Sequence, residues 1–244
     1  MHLLCIETST TQGEIALFHN QNLIALSTWD KEYTHSEILT VKYQELLAQN
    51  HFEPQLLTDI LVSYGPGSFT GLRVGLNFAK SLGYSYQLPI YLSPSFRGVL
   101  APKTLHLLQQ VLILRPALQN RFYVAQYFLD TSHTIVEKVL PETLTLAQIE
   151  ERFKDVERLN VQGPRQLVTA TAWSEGFAQK VNFVSEPERF NYCLNHLHYF
   201  THEKDLIKLE KSDWKNAYPL YIRASEAEEK MKLGDLKVHK KRTL

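Results

Sequence analysis

The sequence is poor in the residues that build covalent cross-links and metal centres. Its 244 residues include only two cysteines, Cys5 and Cys193, and neither belongs to a CxxC pair. This argues against a disulfide framework and against a cysteine-based zinc site. No apolar run approaches the ~18 residues of a membrane span, and the start, MHLLCIETST, lacks the basic region of a secretory signal. We therefore expect a cytoplasmic protein without membrane contact.

The sequence also has no net charge. Lysine plus arginine number 26, as do aspartate plus glutamate. This balance argues against a dedicated polyanion binder, although it leaves room for a local basic patch. The hydrophobic content of 44% and the charged content of 21% are ordinary for a globular protein with a core. The length suits one long domain or two small ones.

The first half of the chain predicts three strands followed by alternating helices and strands. The runs LLCIE, EIALFH and LIALSTW are separated by turn residues. Thr34 and Glu37 form a capping box, and apolar residues at helical spacing predict an amphipathic helix over 35–49. A buried parallel strand is predicted at 59–64, a helix from about Thr70 to Tyr84, and a strand at IYLS.

The second half repeats this order. Strands are predicted at VLILRP, RFYVAQYFLD, TIVEKVL, RLNVQG and VNFVS, and helices at LTLAQIEERFK, GPRQLVTATAW and PERFNYCLNHLHYF. The repeated βββαβα order predicts an α/β protein of two similar subdomains, at 1–104 and 105–228. Residues 229–244 are charge-rich without apolar periodicity, and we expect a mobile basic tail there that is dispensable for folding.

Glycine is scarce, yet four of the ten glycines lie in GPGSFTGLRVG, residues 65–75. A glycine-rich turn between a strand and a helix is the general geometry of an anion site. However, Gly71 is followed by Leu-Arg rather than Lys-Ser or Lys-Thr, and the glycine spacing does not fit GxGxxG. Phosphate binding therefore remains an alternative with weak support, and Ser68 is better explained as a turn or helix-cap hydroxyl.

The glycines continue into the predicted helix. Gly71, Gly75, Ala79 and Gly83 recur every four residues and lie along one helix face. A glycine inside a helix costs about 1 kcal/mol relative to alanine, which calls for a steric reason. Either this face packs closely on the chain's own sheet, or the helix of a partner lies against it.

Four motifs resemble a known family when they are taken together. They are LLCIETST at 3–10, HSE at 35–37, GPGSFTGLRVG at 65–75 followed by Ala79-Lys80, and PLYIR at 219–223. The chain is similar to the TsaB (YeaZ) family, bacterial proteins of the tRNA threonylcarbamoyladenosine pathway. The resemblance implies an actin-like ATPase (ASKHA) fold of two ribonuclease-H-like subdomains, in agreement with the repeated order.

The resemblance also implies a function. Members of this family are scaffolds without catalytic residues that dimerise with TsaD, act with TsaE, and form homodimers when alone. They support threonylcarbamoyl transfer to the adenosine next to the anticodon of tRNAs that read ANN codons. We expect no intrinsic cofactor, ATP or ADP bound by the assembled complex, and tRNA contact through that complex. The resemblance places partner contacts on the first two helices, at His35, Ile38, Leu39, Gly71, Leu72, Gly75, Leu76 and Ala79.

The chain departs from the family in its acidic residues. Glu7 stands where the family has aspartate, and Arg115 and Pro116 stand where an acidic residue opens the second half. We therefore expect no catalytic residue and no metal site. The expected motif turn consists of Glu7, Thr8, Ser9, Gly65, Pro66, Gly67, Ser68 and Thr70.

Two enzymatic alternatives remain open. The fold and the glycine turn favour a catalytic actin-like ATPase or sugar kinase. The spacing of His198 and His202, an HxxxH pair, favours a metallopeptidase, since two histidines four apart on a helix share one face. We expect these two histidines to be solvated instead.

Overall fold

A computed structural model describes residues 1–30, 34–100, 108–117, 119–129, 135–139, 143–163, 173–184, 191–202, 207–209 and 214–222. The strands are β1 His2–Glu7, β2 Gly13–His19, β3 Asn22–Trp29, β4 Asp59–Gly65, β5 Ile90–Pro94, β6 Gln110–Pro116, β7 Phe122–Leu129, β8 Ile135–Val139, β9 Leu159–Gln162, β10 Val181–Val184 and β11 Ile207–Leu209. The helices are α1 His35–Gln49, α2 Phe69–Tyr86, α3 Ser95–Val99, α4 Leu146–Arg152, α5 Glu175–Ala178 and α6 Tyr192–His202. Single 3-10 turns occupy Pro54–Leu56 and Trp214–Asn216.

The strands form two sheets of the same design. The first has the order β11-β5-β4-β1-β2-β3, and the second has the order β10-β9-β6-β7-β8. In each, three antiparallel strands are followed by two that run parallel to the first of the three. This repeat is the actin-like arrangement of two ribonuclease-H-like units, and it confirms the predicted fold class.

The two faces of the first sheet are both covered by helices. Side chains alternate along a strand, so Leu4 and Ile6 of β1 face one way and Leu3 and Cys5 face the other. Leu4 and Ile6 belong to a core shared with α1 and α2, whereas Leu3 and Cys5 pack with Cys193 and Leu197 of α6. Strands β1, β2 and β4 read as nearly continuous apolar runs because neither of their faces meets water.

The end of the described chain returns to the first sheet. Strand β11 pairs antiparallel with β5, where Ile207 lies opposite Leu92 and Leu209 opposite Ile90. Helix α6 precedes β11 and covers the sheet face that α1 and α2 leave. Residues from late in the chain therefore complete the sheet that its first residues begin.

Several predictions from the sequence fall outside the described residues. These are the predicted boundary between residues 104 and 105, most of the helix predicted at GPRQLVTATAW, the start of the helix predicted from Pro187, and the tail 229–244. The domain boundaries stay predictions. The capping box at Thr34 and Glu37 is present and opens α1, as predicted. Among the described residues, no helix is long and apolar enough to cross a membrane.

Candidate functional site

A buried polar cluster lies between the first sheet and α6. Its members are Glu7, Glu14, Ser63, Ser93 and His196, and all five are buried. Glu7, Ser63 and Ser93 come from the carboxyl-terminal parts of the parallel strands β1, β4 and β5, while Glu14 lies opposite Glu7 on β2. The strand alternation that turns Cys5 and Leu61 toward α6 turns these polar residues the same way.

The Glu7 carboxylate has protein partners for both of its oxygens. The Ser9 backbone N–H and the Ser63 hydroxyl donate to Oε1, the latter at 2.9 Å, and His196 Nε2 donates to Oε2 at 2.9 Å. Burial raises the pKa of Glu7, but the hydrogen bond and charge of His196, together with the bonds to Ser9, outweigh it and hold the pKa below the ordinary value. The carboxylate is charged and sealed from water, and both of its oxygens accept hydrogen bonds from the protein.

His196 connects this carboxylate to the neighbouring strand. It has no exposed surface, and its Nδ1 lies 2.8 Å from the Ser93 hydroxyl while Nε2 bonds to Glu7. Gly98 of α3 makes room for the ring, because a Cβ at that position would come within 2.6 Å of Nε2. Through these hydrogen bonds, a single histidine of α6 links the helix to β1 and β5.

Glu14 is the second carboxyl group of the cluster. Its Oε2 accepts a hydrogen bond of 2.9 Å from the Cys193 backbone N–H at the start of α6. Burial raises the pKa of Glu14 to about 7, the bonds from α6 oppose that rise, and the nearby charge of Glu7 adds to it. Near neutral pH, this carboxyl group is therefore balanced between its two protonation states.

Replacing Glu14 with glutamine should remove a pH dependence of stability. Glu14 titrates near 4.5 when unfolded and about 7 when folded, so its stabilising protonation is fully present below pH 4.5, declines above it, and is lost above about 7. Between pH 4.5 and 8, the free energy of unfolding of the wild type should fall relative to Glu14→Gln by about 3 kcal/mol. Urea titrations across this range measure the difference.

The matched control for this experiment is Glu53→Gln, which removes an exposed carboxyl group. Its stability should run parallel to that of the wild type at every pH. Parallel curves for Glu14→Gln as well would contradict the assignment of this titration to Glu14.

The motif turn packs against the start of α2. A side chain introduced at Gly67, Gly71 or Gly75 would overlap Thr8 or Ser9: Gly67 meets the Ser9 carbonyl, Gly71 the Thr8 carbonyl, and Gly75 the Thr8 hydroxyl. Thr8 also donates to the Gly71 carbonyl at 2.9 Å. The need for glycine is therefore steric, and it arises from the turn that follows the chain's own first strand.

The remaining residues of the motif turn set the direction of α2. Ser68 donates its N–H to the Ser9 carbonyl at 2.7 Å, and its hydroxyl accepts from the Gly71 N–H at 3.1 Å. This confirms the helix-cap role expected for Ser68. Gly65 has a φ of +123°, and a side chain there would approach the Leu220 carbonyl. Pro66 is buried in the turn, and Thr70 is exposed in the first turn of α2.

His35, the histidine of the HSE motif, makes hydrogen bonds within the chain through both of its ring nitrogens. The Trp29 indole N–H donates to Nδ1 at 2.9 Å, and Nε2 lies 2.6 Å from the Thr10 carbonyl. Since Nδ1 accepts and a carbonyl can only accept, Nε2 carries the proton in this arrangement. His35 thereby ties the start of α1 to β3 and to the turn after β1.

The predicted partner contacts need a correction. Six of the eight residues have no meaningful exposed surface because they pack inside this chain: Leu39, Gly71, Leu72, Gly75, Leu76 and Ala79. Of the two packing alternatives for the glycine face, the structure has the one in which it lies on the chain's own sheet. His35 and Ile38 are half-buried. A partner surface on these helices must use other, exposed residues, such as Val41 of α1.

Two of the sequence motifs meet in the structure. Tyr221 of PLYIR stacks on Phe69 with a centroid distance of 4.8 Å, and Arg73 donates from Nε to the Tyr221 hydroxyl at 2.8 Å. The backbone N–H of Leu220 bonds to the Tyr64 carbonyl just before the glycine turn. The late PLYI segment therefore supports the turn from outside, while Arg223 lies beyond the described residues.

The sequence did not reveal His196, Glu14, Ser63 or Ser93. The sequence offered one signal for part of this cluster. Glu7, Ser63 and Ser93 are polar residues two positions after residues of apolar strands, so they share the sheet face of those neighbours. The histidines proposed from spacing were His198, which is half-buried, and His202, whose side chain is outside the described set. Among the described residues, no group of three His, Cys, Asp or Glu is placed to hold a metal ion.

Comparisons with known proteins agree with the motifs. The family model described as "TsaD: tRNA N6-adenosine threonylcarbamoyltransferase" matches residues 31–194. The TsaB threonylcarbamoyladenosine biosynthesis protein of Bacillus subtilis is 27% identical over 237 residues, covering 94% of this chain and 97% of that protein. The threonylcarbamoyltransferase of Streptococcus sanguinis is 29% identical over 105 residues, which are 36% of this chain and 31% of the enzyme.

A solved structure shares the whole fold. YeaZ from Pseudomonas aeruginosa superposes with a TM-score of 0.65 at 17% identity, covering 90% of this chain and 99% of that one. The repeated sheets and the turn geometry thus define an actin-like protein. The chain belongs to the tRNA N6-adenosine threonylcarbamoyltransferase family and, within it, to the TsaB (YeaZ) group.

Proposed function

We propose that this protein is the non-catalytic partner of a threonylcarbamoyltransferase in the synthesis of threonylcarbamoyladenosine in tRNA. The name of the Bacillus subtilis relative, which this chain matches over nearly its full length, supports the pathway. The partial match to the transferase of Streptococcus sanguinis supports kinship with the enzyme that would be its partner.

The burial and hydrogen bonds of Glu7 are the observation that supports a non-catalytic role. Glu7 stands at the carboxyl end of β1, where open α/β sheets place ligands and catalytic groups. Its side chain has no exposed surface, and its two oxygens accept bonds from Ser9, Ser63 and His196. A carboxylate that is sealed from solvent and bonded at both oxygens by the protein is poorly placed to bind a metal ion or to activate a water molecule.

The partner surface belongs on the exposed side of α1. Val41 is 42% exposed, and Ile38 is half-buried one turn before it. Burying such apolar area is the main driving term for association. We propose that this surface binds TsaD, that TsaE joins the pair, and that two copies of this chain associate through it when TsaD is absent. ATP or ADP binds the assembled complex, and the cytoplasmic location stays a prediction.

The test is tRNA modification in cells. Depleting this protein should abolish threonylcarbamoyladenosine in tRNA, measured by nucleoside mass spectrometry, and the wild-type chain should restore it. The purified chain alone should show no ATP hydrolysis and no threonylcarbamoyl transfer above background, whereas adding TsaD and TsaE should yield the transfer.

Two results would count against this function. Unchanged tRNA modification after depletion would show that this protein does not act in the pathway. ATP turnover that elutes with the isolated chain, and that Glu7→Gln abolishes while the chain stays folded, would mean that the chain is an enzyme.

A further inference from the structure

Aromatic and cationic side chains line one side of α2 and the segment 214–222 that lies beside it. Three pairs line up between α2 and residues 214–222, and together they form what we term the aromatic–cation ridge: Arg73 with Tyr221, Lys80 with Tyr218, and Tyr84 with Trp214. The segment 214–222 runs opposite to α2, so the pairs occur in order. The ridge is a surface feature outside the buried polar cluster.

Three of the four rings of the ridge are open to solvent, and that of Trp214 is half-buried. Tyr84 is 70% exposed, Tyr218 is 63% exposed and Tyr221 is 43% exposed. Exposure of large aromatic rings in a row is a feature of interaction surfaces rather than of single scattered residues. The ring positions are held by protein contacts, because Tyr221 stacks on Phe69 and the Trp214 indole N–H donates to the Leu88 carbonyl at 3.0 Å. The surface is therefore formed before any ligand arrives.

The charge of the ridge has one sign. Helix α2 and residues 214–222 contain three cations, Arg73, Lys80 and Lys215, and no acidic residue. The chain as a whole is neutral, so this is a local excess. The Arg73 guanidinium lies 3.9 Å from the Phe69 ring centroid, and the Lys80 ammonium lies 4.9 Å from that of Tyr218.

We propose that the aromatic–cation ridge binds unpaired nucleotides of RNA. Bases stack on exposed aromatic rings irrespective of sequence, and nearby cations contact the phosphates. From Arg73 to Tyr84 the ridge runs about 16 Å along α2, which accommodates about four or five stacked nucleotides at 3.4 Å each. Aromatic residues and arginine are also enriched in protein interfaces, so the experiment below separates RNA binding from protein binding. The choice of RNA as ligand rests on the proposed tRNA function.

The test uses the purified full-length chain and a fluorescently labelled single-stranded RNA of eight nucleotides, with anisotropy as the readout. We expect binding that weakens as salt rises. Tyr84→Ala and Tyr218→Ala should each weaken binding by about five-fold or more, and Tyr84→Phe should retain it. Lys80→Gln should also weaken binding and flatten the salt dependence. The control Leu56→Ala, at a residue that is 51% exposed and off the ridge, should bind like the wild type.

Several outcomes would overturn the ridge proposal. These are absence of RNA binding by the wild type, unchanged binding in Tyr84→Ala and Tyr218→Ala, or equal binding of a blunt duplex. Loss of TsaD association in the same variants with RNA binding intact would identify the ridge as a protein interface instead. If depletion still abolishes tRNA modification while the wild type binds no RNA, the ridge proposal fails and the proposed function stands.

Discussion

His196→Ala should lower the free energy of unfolding by about 3–5 kcal/mol, because it leaves the buried Glu7 carboxylate without the ring nitrogen that bonds to its Oε2. The same change leaves the Ser93 hydroxyl without the ring nitrogen it faces at 2.8 Å. Equilibrium denaturation in urea at pH 7 measures the loss. The control Leu194→Ala, on the same helix at a partly exposed position, should cost far less.

A second substitution separates the charge effect from loss of packing. Glu7→Gln removes the buried charge to which His196 is hydrogen-bonded, so the double variant Glu7→Gln/His196→Ala should be more stable than the sum of the two single losses predicts. Strict additivity would mean that the two side chains do not act as a pair. The loss in His196→Ala should also shrink as the pH falls and Glu7 becomes protonated, because without His196 only the bonds with Ser9 still oppose the rise that burial causes in the Glu7 pKa.

Gly71→Ala and Gly75→Leu should both unfold the chain more easily rather than merely weaken partner binding. A methyl group at Gly71 meets the Thr8 carbonyl, a backbone atom of the turn after β1, and a side chain at Gly75 meets the Thr8 hydroxyl. Overpacking of this kind costs about 1–3 kcal/mol, and for Gly75→Leu we expect the upper end. Thermal melting and gel filtration with TsaD measure the two effects separately.

Gly176→Ala is the matched control for the glycine variants. It lies in α5, and a side chain there would meet no atom within 4 Å. The helix propensity of alanine should then stabilise the protein by up to about 1 kcal/mol. If Gly75→Leu instead melted like the wild type and failed only to bind TsaD, the glycine face would be a partner surface and the packing described above would be wrong.

Local patterns were sufficient to predict most of the described elements. Helix α1 was expected at 35–49 from its capping box and apolar spacing, and it occupies those residues. Strand β4 was expected at 59–64 and extends one residue further. Such signals depend on neighbours within a few residues, for which propensity and periodicity carry the information.

The site depended on contacts that a single sequence does not encode locally. Glu7 and His196 are 189 residues apart, and Cys193 and Glu14 are 179 apart. Periodicity placed the glycine face correctly on one side of α2, but it did not distinguish a neighbouring strand from a partner's helix. The Thr8 and Ser9 contacts that decide this question come from a turn about sixty residues earlier.

Because α6 and β11 pack on the first sheet, that sheet can be completed only after the ribosome has synthesised residues up to β11. When β1 to β5 have emerged, Leu3, Cys5, Phe18 and Leu61 have a bare face that is later covered by Cys193 and Leu197. The outer edge of β5 likewise stays unpaired until β11 has been synthesised. The nascent first half therefore carries an open sheet edge and an uncovered apolar face until about the two-hundredth residue is made. A nascent chain that stalls before that point is the form most exposed to chaperones and to aggregation.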